Sequence, residues 1–358
     1  MLVRAYSASV TANGVGADAL AWRTDDLLGA PFERASLGPA TLVRLPSSPA
    51  EVAAARAVVL HVHGYNDYFF QAHLARELAA AGYLFHAVDL RAAGRSLRPG
   101  ELPHYVTDLR EQATDIAAAA AVLRTAFPHL PLVVHAHSTG GLTASLWAHA
   151  HRHATGTAAG PDALVLNSPF LDLPGSALAR AVGTPVLDRL ALVRPQTTLS
   201  HGPSWYATAL LRANGGAWDF DTALKRPQGV PARAGWLRAV RRAQARVASG
   251  LAIGCPVLFA ASTASSHDGP DNPLVGSTDT VLDADQITAL APRLGRDVTV
   301  LRIAGGVHDL SLSADGPRRA YLDGMLDWLA AHLSAHPGAG TGAGTGAGSR
   351  TATEERPA

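Results

Sequence analysis

The sequence predicts an α/β fold in which a mostly parallel sheet is covered by helices on both faces. Three observations carry this. Six short runs rich in Val, Leu and Ile show little polar alternation, as strands buried on both faces do. Helix-like stretches separate most of these runs, which implies crossovers between parallel strands. One long interval lacks strand signals and reads as an insertion.

The six runs are VVLHVH (58–63), LFHAVDL (84–90), LVVHAH (132–137), ALVLNS (163–168), PVLFAA (256–261) and VTVLRI (298–303). Helical patterns occupy 71–81, 106–126, 140–153, 283–294 and 317–333. The opening region, to about residue 46, holds β-like pieces with turns and suits antiparallel strands at one edge of the sheet. Between 168 and 256 lie prolines, Trp205, Trp218 and Trp236, and the arginine-rich helical stretch RAGWLRAVRRAQARV. An unstructured loop of that length inside a compact domain is improbable, so a helical cap is expected there. The tail from 337 to 358 is built largely of Gly, Ala and Thr. It cannot bury enough apolar surface to offset its ordering entropy and is expected to be disordered. The expected division is therefore a core over 1–169 and 251–336, a cap over 170–250 and a tail over 337–358.

Composition narrows the classes of function. Apolar residues make up 47% and charged residues 16% of 358, enough apolar content for a sizeable core. Thirty basic residues against 29 acidic ones give a formal net charge of +1, which asks for no nucleic-acid partner. Lys225 is the sole lysine and Cys255 the sole cysteine. A single thiol forms no internal disulfide, which makes a reducing cytoplasm the default expectation. The opening residues carry no signal-peptide core, and no run of about 18 apolar residues suggests integral membrane contact.

The chemistry concentrates at strand ends. Ser138 follows LVVHAH directly and precedes TGGLTASLWAHA. A strand-to-helix turn this tight lifts its central hydroxyl above the sheet edge and points the first helical N–H groups at one place. Such a hydroxyl beside such donors suits acyl transfer. A plain N-cap serine is the structural alternative. His63-Gly64 ends an earlier strand and can present the Tyr65 N–H to the same oxyanion, with the Thr139 N–H as the second donor. His308, in a glycine-preceded loop after the last strand run, is placed to act as general base. The carboxylate that orients it is chosen from Asp172, Asp268, Asp271, Asp279 and Asp283. Asp268 and Asp271 sit among turn formers, and Asp283 reads as a helix N-cap. Asp279, at the end of the polar loop, is the choice.

Two further patterns have bland readings. His61 and His63, and likewise His135 and His137, share a strand face, yet no carboxylate or cysteine is spaced to complete a metal site. DLRAAGRS (89–96) lacks the Gly-rich phosphate pattern and reads as a structural turn.

Taken in order, His63-Gly64, AHSTG around Ser138, GSTDTVLD around Asp279 and GGVHDL around His308 resemble the α/β-hydrolase superfamily. They are most similar to its monoacylglycerol lipase and lysophospholipase-like branch, whose members are also grouped with serine aminopeptidases. The resemblance covers about 58–333. It implies an eight-stranded α/β-hydrolase sheet with a helical cap between strands six and seven, and no metal or organic cofactor. It also implies Ser138 as nucleophile, His308 as base, Asp279 as acid, and Tyr65 and Thr139 as oxyanion donors. Two departures stand out: Ala136 replaces the usual first glycine of the serine turn, and the loop before Asp279 is longer than usual. The expected reaction is hydrolysis of a small carboxylic ester with an apolar acyl group. An aminopeptidase-like amide hydrolase, using Asp172 or Asp219 to hold a free amine, and a non-catalytic binding protein on the same fold are the alternatives.

Overall fold

The computed structural model describes residues 20–173 and 186–333. The tail expected to be disordered, and parts of the expected core and cap, lie outside the described residues. A nine-stranded sheet forms the centre, in the order β1-β2-β3-β5-β4-β6-β7-β10-β11. Its strands are β1 (Arg23–Thr24), β2 (Glu33–Leu37), β3 (Ala40–Arg44), β4 (Ala57–Val62), β5 (Tyr83–Asp89), β6 (Leu132–His137), β7 (Ala163–Asn167), β10 (Val257–Ser262) and β11 (Val298–Ile303). β5, β4, β6, β7, β10 and β11 run parallel, while β1, β2 and β3 add an antiparallel edge. The count exceeds the expected eight because the two-residue β1 extends that edge.

Every residue of β4, β5, β6, β7 and β10 is buried, which is why these runs show no polar alternation. β11 has a neighbour on one side only, and Thr299 and Val300 are exposed. Alternate residues feed opposite layers, as the two-residue period of a strand requires. Val58, Leu60, Val62, Leu132, Val134 and Ala136 face one apolar cluster, while Ala57, Val59 and Val133 face the other. Helices α3 (Leu109–Ala126) and α4 (Ser138–Ala150) cover the first face. After the short α1 (Pro49–Ala53), helices α2 (Ala72–Ala80) and α8 (Asp315–Leu333) cover the second. Each fully buried Leu or Val on these faces contributes roughly 1.5–3 kcal/mol of transfer free energy.

The helix expected over 283–294 is shorter than its pattern. It runs only over α7 (Ala284–Thr288), and a separate 3-10 turn follows at Ala291–Arg293. Pro292 disfavours helical geometry in the residue before it.

The segment between β7 and β10 is not purely helical. It holds α5 (Trp205–Leu210) and the 15-residue α6 (Ala234–Ala248). It also holds a small antiparallel ladder of β8 (Thr198–Ser200) and β9 (Ala232–Arg233). α6 is amphipathic: Trp236, Ala239, Val240, Ala243 and Val247 pack into the first cluster, while Arg242 and Arg246 are exposed. None of the helices among the described residues is long and apolar enough to cross a membrane.

Candidate active site

β6 passes into α4 with no intervening loop, and Ser138 stands at the junction with φ +53°. A non-glycine residue in this left-handed region is strained and is held there by its surroundings. Those surroundings are tight. A β-carbon at Gly140 would stand 2.2 Å from the His63 carbonyl oxygen, and one at Gly64 would stand 2.9 Å from Cβ of Ser138. A β-carbon at Gly141 would meet Pro169 at 2.9 Å. The ends of β4, β6 and β7 thus converge on the serine. Ala136 sits earlier in β6, paired with Val62 and Leu166 and facing the apolar cluster. Its methyl is buried in that cluster, so the departure from glycine is accommodated.

His308 lies beyond β11 after Gly305 (φ +73°) and Gly306. Its Nε2 is 3.0 Å from Ser138 Oγ, and its Nδ1 is 2.9 Å from Asp279 Oδ2. With Asp279 ionised, Nδ1 carries the proton and Nε2 accepts from the serine hydroxyl. All three side chains are buried. The other oxygen of Asp279 accepts the N–H groups of Val281 and Leu282 at 2.9 and 2.8 Å. The long loop before it folds back on itself. Asp279 N–H donates to Ala264 O, and Ser266 N–H donates to Asp279 O, each at 3.0 Å. The extra length is therefore an excursion that starts and ends at the tip of β10.

The remaining acid candidates have other partners. Asp283 caps α7, accepting the N–H groups of Asp285 and Gln286. Asp271 pairs with His267 at the surface. Asp172 accepts from Arg241 and Gln286. Asp268, which its neighbours mark as a turn former, instead accepts the N–H groups of Trp205 and Tyr206 at the start of α5. Thr139 directly follows Ser138, and Tyr65 directly follows Gly64, whose β-carbon would meet Ser138; the Tyr65 N–H has no backbone hydrogen-bond partner among the described residues.

Several residues that sequence reasoning did not single out crowd this centre. Tyr206 OH accepts the Asp309 N–H at 2.9 Å, and its ring stands edge-on to His308 at 5.7 Å. Tyr68, Phe70, Tyr206, Leu210, Val307 and Leu312 form a third apolar cluster, lined further by Trp218 and Phe220. Asp67, His137 and Asp309 are buried with ligand-type atoms within 4.8 Å of one another. Such a set could hold a cation, and the Lys225 ammonium, 3.2 Å from Asp67 Oδ1, supplies a positive charge there. Burial works to raise the pKa of Asp67, but Lys225 and His137 hold it well below the usual carboxylate range. A signal for this group did exist in the sequence, since Lys225 is the one lysine in an arginine-rich chain.

His137 thus meets two carboxylates that the sequence spacing does not reveal, whereas His61, His63 and His135 have other partners. His61 Nδ1 bonds His135 Nδ1 at 2.8 Å, and His135 Nε2 bonds Tyr321 OH at 2.7 Å. Burial pushes the His135 pKa down to about 4, so it is neutral at ordinary pH. His63 Nε2 accepts the Leu90 N–H, tying the end of β4 to the turn after β5. In that turn Asp89 accepts from Phe69 N–H, Arg95 N–H and the Arg95 guanidinium, which also pairs with Asp25. The segment 89–96 is thus a buried ionic staple.

Comparison with known proteins identifies the family and the fold. A family model for serine aminopeptidase, S33, matches residues 53–314. A monoacylglycerol lipase from Mycolicibacterium smegmatis is 36% identical over 87 residues, covering 24% of this chain and 30% of that relative's own length. Among solved structures, a soluble variant of monoglyceride lipase from Saccharomyces cerevisiae is similar with a TM-score of 0.60 at 17% identity. That match covers 87% of this chain and 96% of the yeast chain. Monoacylglycerol lipase from Paleococcus ferrophilus gives 0.58 at 19% identity, covering 77% and 95%. A carboxyl esterase from Bacillus coagulans gives 0.56 at 14%, covering 87% and 98%. At these identities the structural likeness speaks to fold. The family match runs from the approach to β4 to beyond His308, and the chain belongs to the serine aminopeptidase S33 family, on an α/β-hydrolase fold.

Proposed function

We propose that this protein is a serine hydrolase that cleaves carboxylic esters through an acyl-enzyme. One observation carries the reading: the chain of hydrogen bonds from Ser138 Oγ through His308 to Asp279, at 3.0 and 2.9 Å. His308 Nε2 takes the proton as Ser138 Oγ attacks the ester carbonyl. The Tyr65 and Thr139 N–H groups receive the oxyanion. The C–O bond to the alcohol then breaks, and His308 returns the proton to the departing oxygen. His308 next deprotonates a water, which attacks the acyl-enzyme and releases the acid and free Ser138. Asp279 stays ionised and stabilises the imidazolium formed in both halves.

The substrate is a small ester with an apolar acyl group, of the monoacylglycerol, lysophospholipid or simple carboxylic ester kind. The aromatic cluster of Tyr68, Phe70, Tyr206 and Phe220 beside His308 supports that class. Residues 170–250 act as the cap over it, and the site works in the cytoplasm. An aminopeptidase needs a carboxylate to hold a free amine. Asp172 is bonded to Arg241 and Gln286, and Asp219 pairs with Arg212 at the surface, which favours the ester.

A fluorophosphonate probe tests the nucleophile: labelling is expected in the native protein and absent in Ser138→Ala. A folded native protein that takes no label would favour a non-catalytic binding role. The substrate class is tested by kcat/KM on a p-nitrophenyl acyl ester and on an aminoacyl anilide. The ester is expected to be faster, and faster anilide cleavage would overturn the assignment.

A further inference from the structure

The loop after β4 is bound, residue by residue, to a distant strip of chain. Tyr65 OH donates to Pro231 O at 3.0 Å. Asn66 Nδ2 donates to Arg226 O at 2.9 Å, and Arg226 N–H donates back to Asn66 Oδ1 at 2.8 Å. Lys225 Nζ donates to Asp67 Oδ1 at 3.2 Å. Three successive residues are thus each tied to the segment 225–231, across sequence separations of 158 to 166. The Tyr65 ring also lies 4.1 Å from that of Trp236. Asn66 has φ +52°, a conformation that its reciprocal amide pair with Arg226 helps to hold. The Tyr65 N–H, one of the two proposed oxyanion donors, takes its direction from this loop.

Lys225 is the anchor of the strip. It is 3% exposed, and its ammonium stands 5.6 Å from the ring centres of Phe70 and Tyr206 and 5.9 Å from that of Phe220. A compact ammonium suits a cage of three rings and one carboxylate oxygen, where a planar guanidinium would need more donors satisfied. The other oxygen of Asp67 faces His137 Nδ1 at 3.4 Å. The His137 ring lies under Gly64, where a β-carbon would come to 3.1 Å of Nδ1, and 4.9 Å from the His308 ring. A buried line of polar side chains therefore runs from the insertion to the underside of the serine turn.

We infer that Lys225 is a positioning residue for the oxyanion site, fixing Asp67 so that the strip 225–231 holds the Tyr65 N–H toward Ser138. The inference rests on the serine hydrolase reading above. It makes this part of the insertion a component of the site, not a cover that swings clear of it.

The test uses Lys225→Met and the charge-compensated Lys225→Met/Asp67→Asn in the full chain. The readouts are kcat and KM on a p-nitrophenyl ester, the Ki of an alkyl trifluoromethyl ketone, and the thermal midpoint. The ketone forms a tetrahedral oxyanion on the serine, so its affinity reports the oxyanion donors. Removing a donor outright costs about 10²–10³ in rate. Displacing one is expected to cost about 10–100-fold in kcat, with KM within about threefold and ketone affinity falling in parallel. The double variant is expected to regain the thermal midpoint but not the rate. Where Lys225→Met does not fold, the double variant decides alone. Wild-type kcat and ketone affinity in either folded variant would overturn the inference. Absence of fluorophosphonate labelling in the native protein would instead remove the serine hydrolase reading itself.

Discussion

Gly140 faces His63 so closely that a β-carbon on it would come within 2.2 Å of the His63 carbonyl oxygen. The contact is to backbone, so no side-chain rotation relieves it. Gly140→Ala must therefore push α4 away from the end of β4, and Ser138 and the Thr139 N–H move with α4. A shift of about 1 Å at a reacting group can cost about 10²-fold. Gly140→Ala is expected to lower kcat by at least that factor in an ester assay, while the protein stays folded by circular dichroism.

Ala136, two residues before Ser138, gives the contrasting case. It is fully buried and faces the apolar cluster between Val62 and Leu166. Ala136→Gly removes one methyl and leaves the turn alone, so kcat is expected to stay within about threefold. Ala136→Val adds volume to a filled layer, which costs about 1–3 kcal/mol through overpacking. A lower thermal midpoint with reduced activity is expected. Equal tolerance of both changes in the ester assay would mean the junction is looser than its contacts suggest.

Asp279 and Asp283 are separated by four residues and have different work. Asp279 holds His308 Nδ1, while Asp283 caps α7. Asp279→Asn offers an amide where the imidazole needs an acceptor and favours the wrong tautomer, so kcat should fall about 10⁴-fold. Asp283→Ala removes an N-cap worth about 1 kcal/mol and should leave kcat within a few-fold. The reverse ranking in steady-state kinetics would reassign the acid.

The strands and the three residues that meet at Ser138 are legible in the sequence because each is a local pattern. A run of Val and Leu is a strand wherever it packs, and a Ser, Asp or His at its end falls on one edge of a parallel sheet. What is illegible depends on partners far away. Asp268 reads as a turn former among Gly, Pro and Asn, yet its carboxylate receives two amides of α5 some 62 and 63 residues earlier. The binding of Asn66 by Arg226 is invisible for the same reason, since Arg226 takes part through its backbone N–H and C=O, which any residue but proline carries. The β1 strand escaped notice because two exposed residues carry no pattern.

Buried neutral histidines set the acid side of stability. Burial pushes His86 and His104 down to about 3 and His135 down to about 4. Unfolded, each binds a proton near pH 6.5. Between these values the unfolded chain binds more protons than the folded one, so stability falls as pH drops from about 6.5. The window from pH 7 to pH 5 isolates this effect, because carboxylates in the unfolded chain titrate lower. The thermal midpoint is expected to fall across it, and His86→Phe is expected to make the fall shallower. His86 packs beside Phe127 and its Nδ1 has no partner among the described residues, so a phenyl ring suits the site and removes the titrating group.

Asp268 and Tyr206 link the long loop before Asp279 to the wall beside His308. The Asp268 carboxylate accepts the Trp205 and Tyr206 N–H groups at 3.2 and 2.8 Å, and Tyr206 OH accepts the Asp309 N–H. Asp268→Ala leaves two amides at the start of a six-residue helix without that partner, in a helix too short to hold itself. The Tyr206 ring should then lose its fixed edge-on stance over His308. Because the Ser138–His308–Asp279 bonds do not pass through Asp268, the chemistry should survive. The expected outcome is a KM raised about three- to tenfold for a long-chain p-nitrophenyl ester, with kcat on p-nitrophenyl acetate nearly unchanged. Tyr206→Phe separates the two contacts: it keeps the ring and removes only the acceptor for the Asp309 N–H. It should lower the thermal midpoint, since a buried N–H left unmatched costs about 1–3 kcal/mol. Its chain-length preference should match that of the native protein. If Tyr206→Phe shifts that preference as far as Asp268→Ala does, the hydroxyl and not the ring shapes the acyl wall.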